Sequence, residues 1–350
     1  RMAIYRIYPE KDTTVLSKPD VAGLYANAGL DEILELRSYP DDDGIGRSSR
    51  ILIKFSDDDI SNALSTKISG SYSASLHMYL ASAAQLPQAY TVETSPLTKS
   101  WIQGTGKAGD NPTNTTGVSW TLTGGSTLWS TPGCDYTEGA NTTTQTFSLT
   151  ADLDINLDVT GFINSVESES IDNHGLIVKF NDSQENETTS SIDLKYFSSN
   201  SSTIFPPYLE FKWDDSKYDS SLNELSTDIS TVSIKNHKEK YIDSDISRFR
   251  LSARPKYPTR TFTTGSIYKT EYKLPQNSFY AIKDEYSEEM IIDFDSTYTK
   301  ISADNTSSYF DIYMDTLQPE RYYRLLVKTT LDGSTVVLDN KNVFKVVRNG

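Results

Sequence analysis

The sequence predicts an all-β protein made of two consecutive sandwiches, and three observations predict it. Its apolar residues are aromatic and β-branched, with 22 Tyr, 13 Phe and 4 Trp in 350 residues of which only 36% are hydrophobic, and such side chains suit a pleated, half-buried surface. They fall in short runs, many alternating with polar residues, and Ala-rich or Leu-rich helical stretches are missing. Turns containing Gly, Asp and Pro separate the runs too closely for βαβ units. At roughly 150 residues per domain, the length allows about two domains.

In order, Ile4 to Tyr8 alternates until Pro9 ends it, and Asp12 to Leu16 is a second short strand. Asp31 to Arg37 follows, then the acidic turn Asp41-Asp42-Asp43-Gly44 and the strongly apolar Arg50 to Phe55. Asp57 to Leu64 reads as one or two helical turns with an acidic start that suits the positive end of the helix dipole. Ser73 to Leu80 alternates again. Residues 103–145 are loop-like, rich in Gly, Thr, Asn and Ser, yet this region carries Trp101, Trp120 and Trp129. A loop of that length is unusual unless packed or functional. Strands resume at Thr144 to Leu149, Leu157 to Ile163 runs from a strand into a short helix, and Gly175 to Phe180, Asp193 to Phe197 and Tyr208 to Trp213 complete a first domain of residues 1–215.

A polar, aperiodic stretch, 216–230, reads as a linker. Residues 231–350 then supply six or seven strands, among them Phe249 to Ser252, Ser278 to Ile282, Met290 to Phe294, Tyr309 to Met314, Tyr322 to Lys328 and Val343 to Val347, with a turn at Gly333. That is the size of an immunoglobulin/fibronectin-like β-sandwich. Leu317-Gln318-Pro319 ahead of Tyr322 matches the approach to a sandwich strand whose tyrosine hydroxyl ties back to backbone.

Charge narrows the partners. Forty-eight acidic and 33 basic residues leave a formal net charge of −15, a field that repels nucleic acid and anionic membranes. The single cysteine, Cys134, excludes an internal disulfide and a cysteine-based zinc site. No apolar run approaches a membrane span and no signal peptide is evident, which fits a chain made in the cytoplasm and later exposed, and equally a plain cytosolic protein.

Several segments, taken together, resemble the DNRLRE family, also treated as a carbohydrate-binding module: Asp12-Thr13-Thr14-Val15, Arg50 through Phe55, Ser100-Trp101-Ile102-Gln103-Gly104, Val118-Ser119-Trp120, Leu157-Asp158-Val159-Thr160, Gly175 through Lys179, and Phe197 through Pro207 to Trp213. Gln103 stands where the family has an acid, and an acid expected just after Phe55 is displaced to Asp57. The resemblance implies a jelly-roll β-sandwich that binds polymers or neighbouring proteins without doing chemistry on them. Phrases such as Gly109-Asp110-Asn111-Pro112, Asn277 through Asp284 and Leu317 through Tyr323 are similar to virion proteins of tailed, myovirus-type marine bacteriophages. They imply a virion protein of the tail, neck, baseplate or head surface, with other virion proteins as partners in a symmetric assembly. The alternative is an adhesion module for a host surface glycan.

Chemistry-bearing residues are few. His77, His174 and His237 form no helical metal pair, and there is no nucleophile elbow or P-loop, so no catalytic residue is assigned and no enzyme is expected. Asp41, Asp43, Asp57 and Asp154 are candidate calcium ligands, since calcium takes six to eight oxygens, though none has EF-hand spacing; solvated turns and helix caps are the competing reading. Trp101, Trp120 and Trp129 are candidates either for packing the long loop onto the sandwich or for stacking on a sugar ring.

Overall fold

The computed structural model describes residues 3–17, 26–40, 46–84, 86–150, 152–258 and 270–349. The protein is all-β. Helix among these residues is confined to α1 (Asp57–Asn62), continued by a π-helical turn, α2 (Thr160–Glu167), α3 (Asp182–Glu185) and one 3-10 turn. Asp57, Asp58 and Asp59 fill the first turn of α1, as the dipole favours. Chain contacts divide the molecule into two compact units: Ile7–Lys67 with Ser73–Glu210, and Phe211–Gly350 with Arg1–Arg6 and Ile68–Tyr72.

The strands up to residue 213 are β1 (Ile4–Ile7), β2 (Lys11–Leu16), β3 (Ile33–Pro40), β4 (Gly46–Lys54), β5 (Tyr72–Met78), β6 (Leu80–Ala83), β7 (Tyr90–Pro96), β8 (Leu122–Gly124), β9 (Thr127–Leu128), β10 (Thr143–Phe147), β11 (Ile155–Asp158), β12 (Leu176–Phe180), β13 (Ile192–Phe197) and β14 (Tyr208–Trp213). One sheet has the order β1-β14-β5-β11 and a larger one β10-β7-β12-β4-β3-β13-β6, with β2 also on β4. β4 is the branch point. Its start pairs with β3 through Ser38↔Ser48, and Ser49 to Lys54 then pair with β2 while Ile51 to Ile53 pair with β12.

Burial follows from these positions. β3, β5 and β13 bury every second residue, the signature of a sheet with one wet face. β12 is buried at all 5 positions, which requires cover on both faces. The segment after β7 supplies it: Leu97, Trp101, Val118, Trp129 and Cys134 pack on Val15, Leu52 and Ile177, the outward residues of β2, β4 and β12.

The later unit holds β15 (Ser230–Lys235), β16 (Lys240–Ile242), β17 (Ile246–Pro255), β18 (Phe279–Asp284), β19 (Met290–Ile292), β20 (Ser302–Ala303), β21 (Ser308–Tyr313), β22 (Tyr322–Leu331) and β23 (Ser334–Val347). They form two sheets, β15-β17-β21-β20 and β16-β23-β22-β18-β19. Aromatic rings join the sheets: Tyr280 of β18 stacks on Phe310 of β21 at 4.5 Å, and Phe249 of β17 meets Phe344 of β23 at 5.9 Å. The tyrosine tie expected near Tyr322 is made by Tyr323, whose hydroxyl donates to the Gln318 carbonyl at 2.8 Å. Strand alternation turns Tyr323 inward, 1% exposed, and Tyr322 outward, 38% exposed. The polar stretch 216–230 is laid along this unit: the backbone N–H groups of Asp219 and Leu225 donate to the carbonyls of Ala303 and Lys273, and Leu225 is buried.

Candidate functional site

The structure gathers the three tryptophans on the outer face of the larger sheet. Trp101 and Trp129 are 3% and 4% exposed, in one apolar cluster with Val15, Leu52 and Ile177, and the half-buried Trp120 packs against it. Each buried indole N–H has an acceptor: Trp101 Nε1 donates to the His174 carbonyl at 2.9 Å, and Trp129 Nε1 to the Ser119 carbonyl at 3.0 Å. Lys11 lies 4.4 Å above the Trp101 ring and donates to the Trp101 carbonyl.

Polar residues knit the covering segment together. Buried Asn27 donates from Nδ2 to the carbonyls of Gln103 and Val118 at 2.7 and 2.9 Å, and its Oδ1 accepts from the N–H groups of Gly106 and Gly29. Gly104 and Gly117 close on this amide so tightly that a Cβ at either would lie 2.4 Å from it. Gln103 donates through Nε2 to the carbonyls of Asp12 and Gly29. An amide can donate there and an ionised acid cannot. Asn27 escaped the sequence reading; the glycines at 104, 106 and 117 were the available signal.

Beside the tryptophans lies a charged group that sequence reading also missed. Arg50 holds Glu185 with both ends of its guanidinium, at 2.5 and 2.7 Å, donates to the Gly133 carbonyl, and faces the rings of Trp120 at 4.8 Å and Tyr136 at 5.5 Å. Next to it Glu93, Glu138 and Asp182 bring carboxylate oxygens within 4.8 Å of one another. The cation among them is the buried Lys179 ammonium, 2.6 Å from Glu93 and 2.7 Å from Asp182. Burial alone would pull the Lys179 pKa down, but its bonds to Asp182 and Glu93 outweigh this and raise it. Burial pushes the Cys134 thiol up and keeps it protonated.

The acidic candidates stand apart from this group. Asp41 and Asp43 lie outside the described residues. Asp57 opens α1, exposed, and accepts from Asn173 Nδ2 at 2.9 Å. Asp154 accepts from the Leu80 N–H at 2.7 Å, and burial raises its pKa. Among the described residues neither Asp57 nor Asp154 belongs to a cluster of potential metal ligands. A cleft of about 350 Å³ opens nearby, lined by Leu97, Ile171, Asn141, Glu138, Asp172 and His174 among others, with no Phe, Tyr or Trp in its wall.

No family model matches the chain, and no curated protein matches it. Among solved structures, it is similar at 8% identity to an FMN-binding beta-glucuronidase from Facaelibacterium prausnitzii L2-6, over 99% of this chain and 40% of that one, with a TM-score of 0.23. It is likewise similar at 8% identity to the adhesin domain of Epf from Streptococcus pyogenes, over 99% of this chain and 92% of that one, with a TM-score of 0.19. The chain therefore spans less than half the length of the glucuronidase.

Proposed function

We propose that this chain is a non-enzymatic structural component of a tailed-bacteriophage virion, in the tail, neck, baseplate or on the head surface, where it mediates contacts with other virion proteins. One observation carries the reading. The side chains best equipped for ligand chemistry are committed to the chain's own packing: Trp101 and Trp129 are buried, Arg50 is held by Glu185, and Glu93 and Asp182 are paired with Lys179. Such commitments serve a scaffold. The likeness of Gly109–Pro112 and Asn277–Asp284 to virion proteins favours a particle as its setting. Quantitative mass spectrometry of gradient-purified particles tests this; the expected result is the chain at a copy number set by the particle's rotational symmetry, and its absence from particles overturns the reading.

A second reading, adhesion to a host surface polysaccharide, rests on Trp120, the most exposed of the three tryptophans. It requires that Trp120→Ala abolish retention on host glycan while leaving the melting temperature unchanged. A lowered melt with no glycan binding by the parent removes it.

A further inference from the structure

Among the described residues, the long hairpin of the later unit leaves one strand edge open. β22 and β23 pair from Leu331↔Ser334 to Val327↔Leu338 across the turn Asp332–Gly333, both residues having positive φ, 48° and 74°, the geometry of a tight type I′ connection. The other side of β23 is covered only toward its end. Asn340 Nδ2 donates to the Val232 carbonyl, His237 Nε2 bonds the Val343 carbonyl, and β16 pairs in parallel with Lys345 to Val347. From Ser334 to Asp339 no strand lies against the outer edge among the described residues.

Hairpin geometry fixes which backbone groups face outward. In a two-residue hairpin the closing pair exchanges both hydrogen bonds and the next pair exchanges none. Ser334, Val336 and Leu338 therefore bond to β22, and Thr335, Val337 and Asp339 turn their N–H and C=O groups away from it. Proteins blunt such edges with lysine, proline, bulges or shortness. Other edges in this unit are blunted so: β16 starts with Lys240, β15 ends with Lys235, β19 has 3 residues and β20 has 2. The open stretch reads Ser-Thr-Val-Val-Leu-Asp, with Val337 52% exposed.

We propose that this edge joins two copies of the chain, antiparallel, about a two-fold axis at Val337. This register opposes Thr335 to Asp339 and Val337 to itself, so every outward N–H and C=O of those three residues meets a partner. It places Val336 across from Leu338, beside the apolar inner face of the ladder, and a hydroxyl across from each carboxylate. Centring the axis one residue earlier leaves Asp339 unmatched. Centring it one residue later carries Thr335 onto Lys341, whose positive φ of 51° breaks the extended run. Parallel, in-register stacking would set Asp339 against Asp339, and like charges directly opposed are unfavourable. The antiparallel pair uses up both edges and closes as an isologous dimer. The inference is independent of a virion setting.

Sedimentation velocity on the full chain, from sub-micromolar to near-millimolar concentration, tests it. The parent should shift from monomer to twice that mass as concentration rises. Val337→Pro, which removes an outward N–H and leaves the bonds to β22 in place, should stay monomeric throughout. Val337→Lys should do the same, and it decides the matter if the proline variant melts early. Val337→Cys should be linked into dimers by a short bifunctional thiol reagent, Cys134 being buried. A parent that remains monomeric at the highest concentration, or a dimer that persists in both Val337→Pro and Val337→Lys, overturns the proposal.

Discussion

β12 and β23 are both strands that one neighbour alone cannot bury, and the protein treats them in opposite ways. β12 is covered on its outer face by a polar segment that brings tryptophans with it, and all its residues are buried. The first half of β23 has no such cover and stays exposed on most of its length. The difference lies in what the nearby chain can contribute. Ordering a residue costs about 1–2 kcal/mol of backbone entropy, so a Gly/Thr/Asn-rich loop holds to a sheet only where it carries side chains with large apolar area. Trp101, Trp120 and Trp129 supply that area over β12. Beyond the turn at Asp332–Gly333, Ser334 to Val337 are only small and β-branched residues and offer no comparable area.

The largest effect should break this contrast directly. Trp101→Ala removes a buried indole from the cluster on Ile177 and is expected to cost about 3–5 kcal/mol, measured by chemical denaturation. Val337→Ala, on the uncovered strand, should change the stability of dilute, monomeric protein by no more than about 0.5 kcal/mol. Comparable losses at both sites would mean the two strands are not differently supported.

A smaller effect sharpens the account of the later unit. Tyr323→Phe deletes the hydroxyl that donates to the Gln318 carbonyl and should cost about 1 kcal/mol, while Tyr322→Phe, one residue away and facing solvent, should cost nothing measurable. Equal melting of the two variants would remove the tie from the stability of this fold.

The smallest effect is a contribution present at neutral pH and lost in acid. Burial tends to raise the Asp135 pKa, but Lys99 at 2.7 Å and the backbone N–H groups of Ser130 and Thr131 together lower it to about 2. A depressed carboxylate pKa adds stability above its unfolded value near 4, and the contribution disappears as pH falls from there through about 2. Denaturation midpoints of the parent should thus decline across that window, and Asp135→Asn should flatten the slope. An unchanged slope in the variant would assign the acid sensitivity to other carboxylates.

Much of the fold was legible in the sequence. Asp193 to Phe197 and Phe249 to Ser252 were readable as strands, as were the unbroken apolar runs at Ile51–Ile53 and Leu176–Val178, whose burial on both faces only the structure revealed. Period-two patterning is local, so short windows carry it. β7, by contrast, was not read as a strand, because the inward series Tyr90, Val92, Thr94 ends on a polar residue and Ser95 beside it is buried as well. The tryptophans announced that the long loop is packed, since no other residue near them offers comparable area.

What only the tertiary structure decided is where separate segments converge. Nothing in the spacing of Arg50, Glu185, Lys179 and Glu93 places them together; β4, β7 and β12 become neighbours only through pairs far apart in sequence, such as Leu176 with Pro96 and with Ile53. The same holds for Asn27, whose amide is satisfied by residues from 29 to 118, and for the edge of β23 from Ser334 to Asp339, which among the described residues no strand reaches because β16 pairs only with Lys345 to Val347. A sequence specifies its strands through side-chain period, but ion pairs, buried amides and free edges are properties of which strands meet. That is set by the packing of the whole unit.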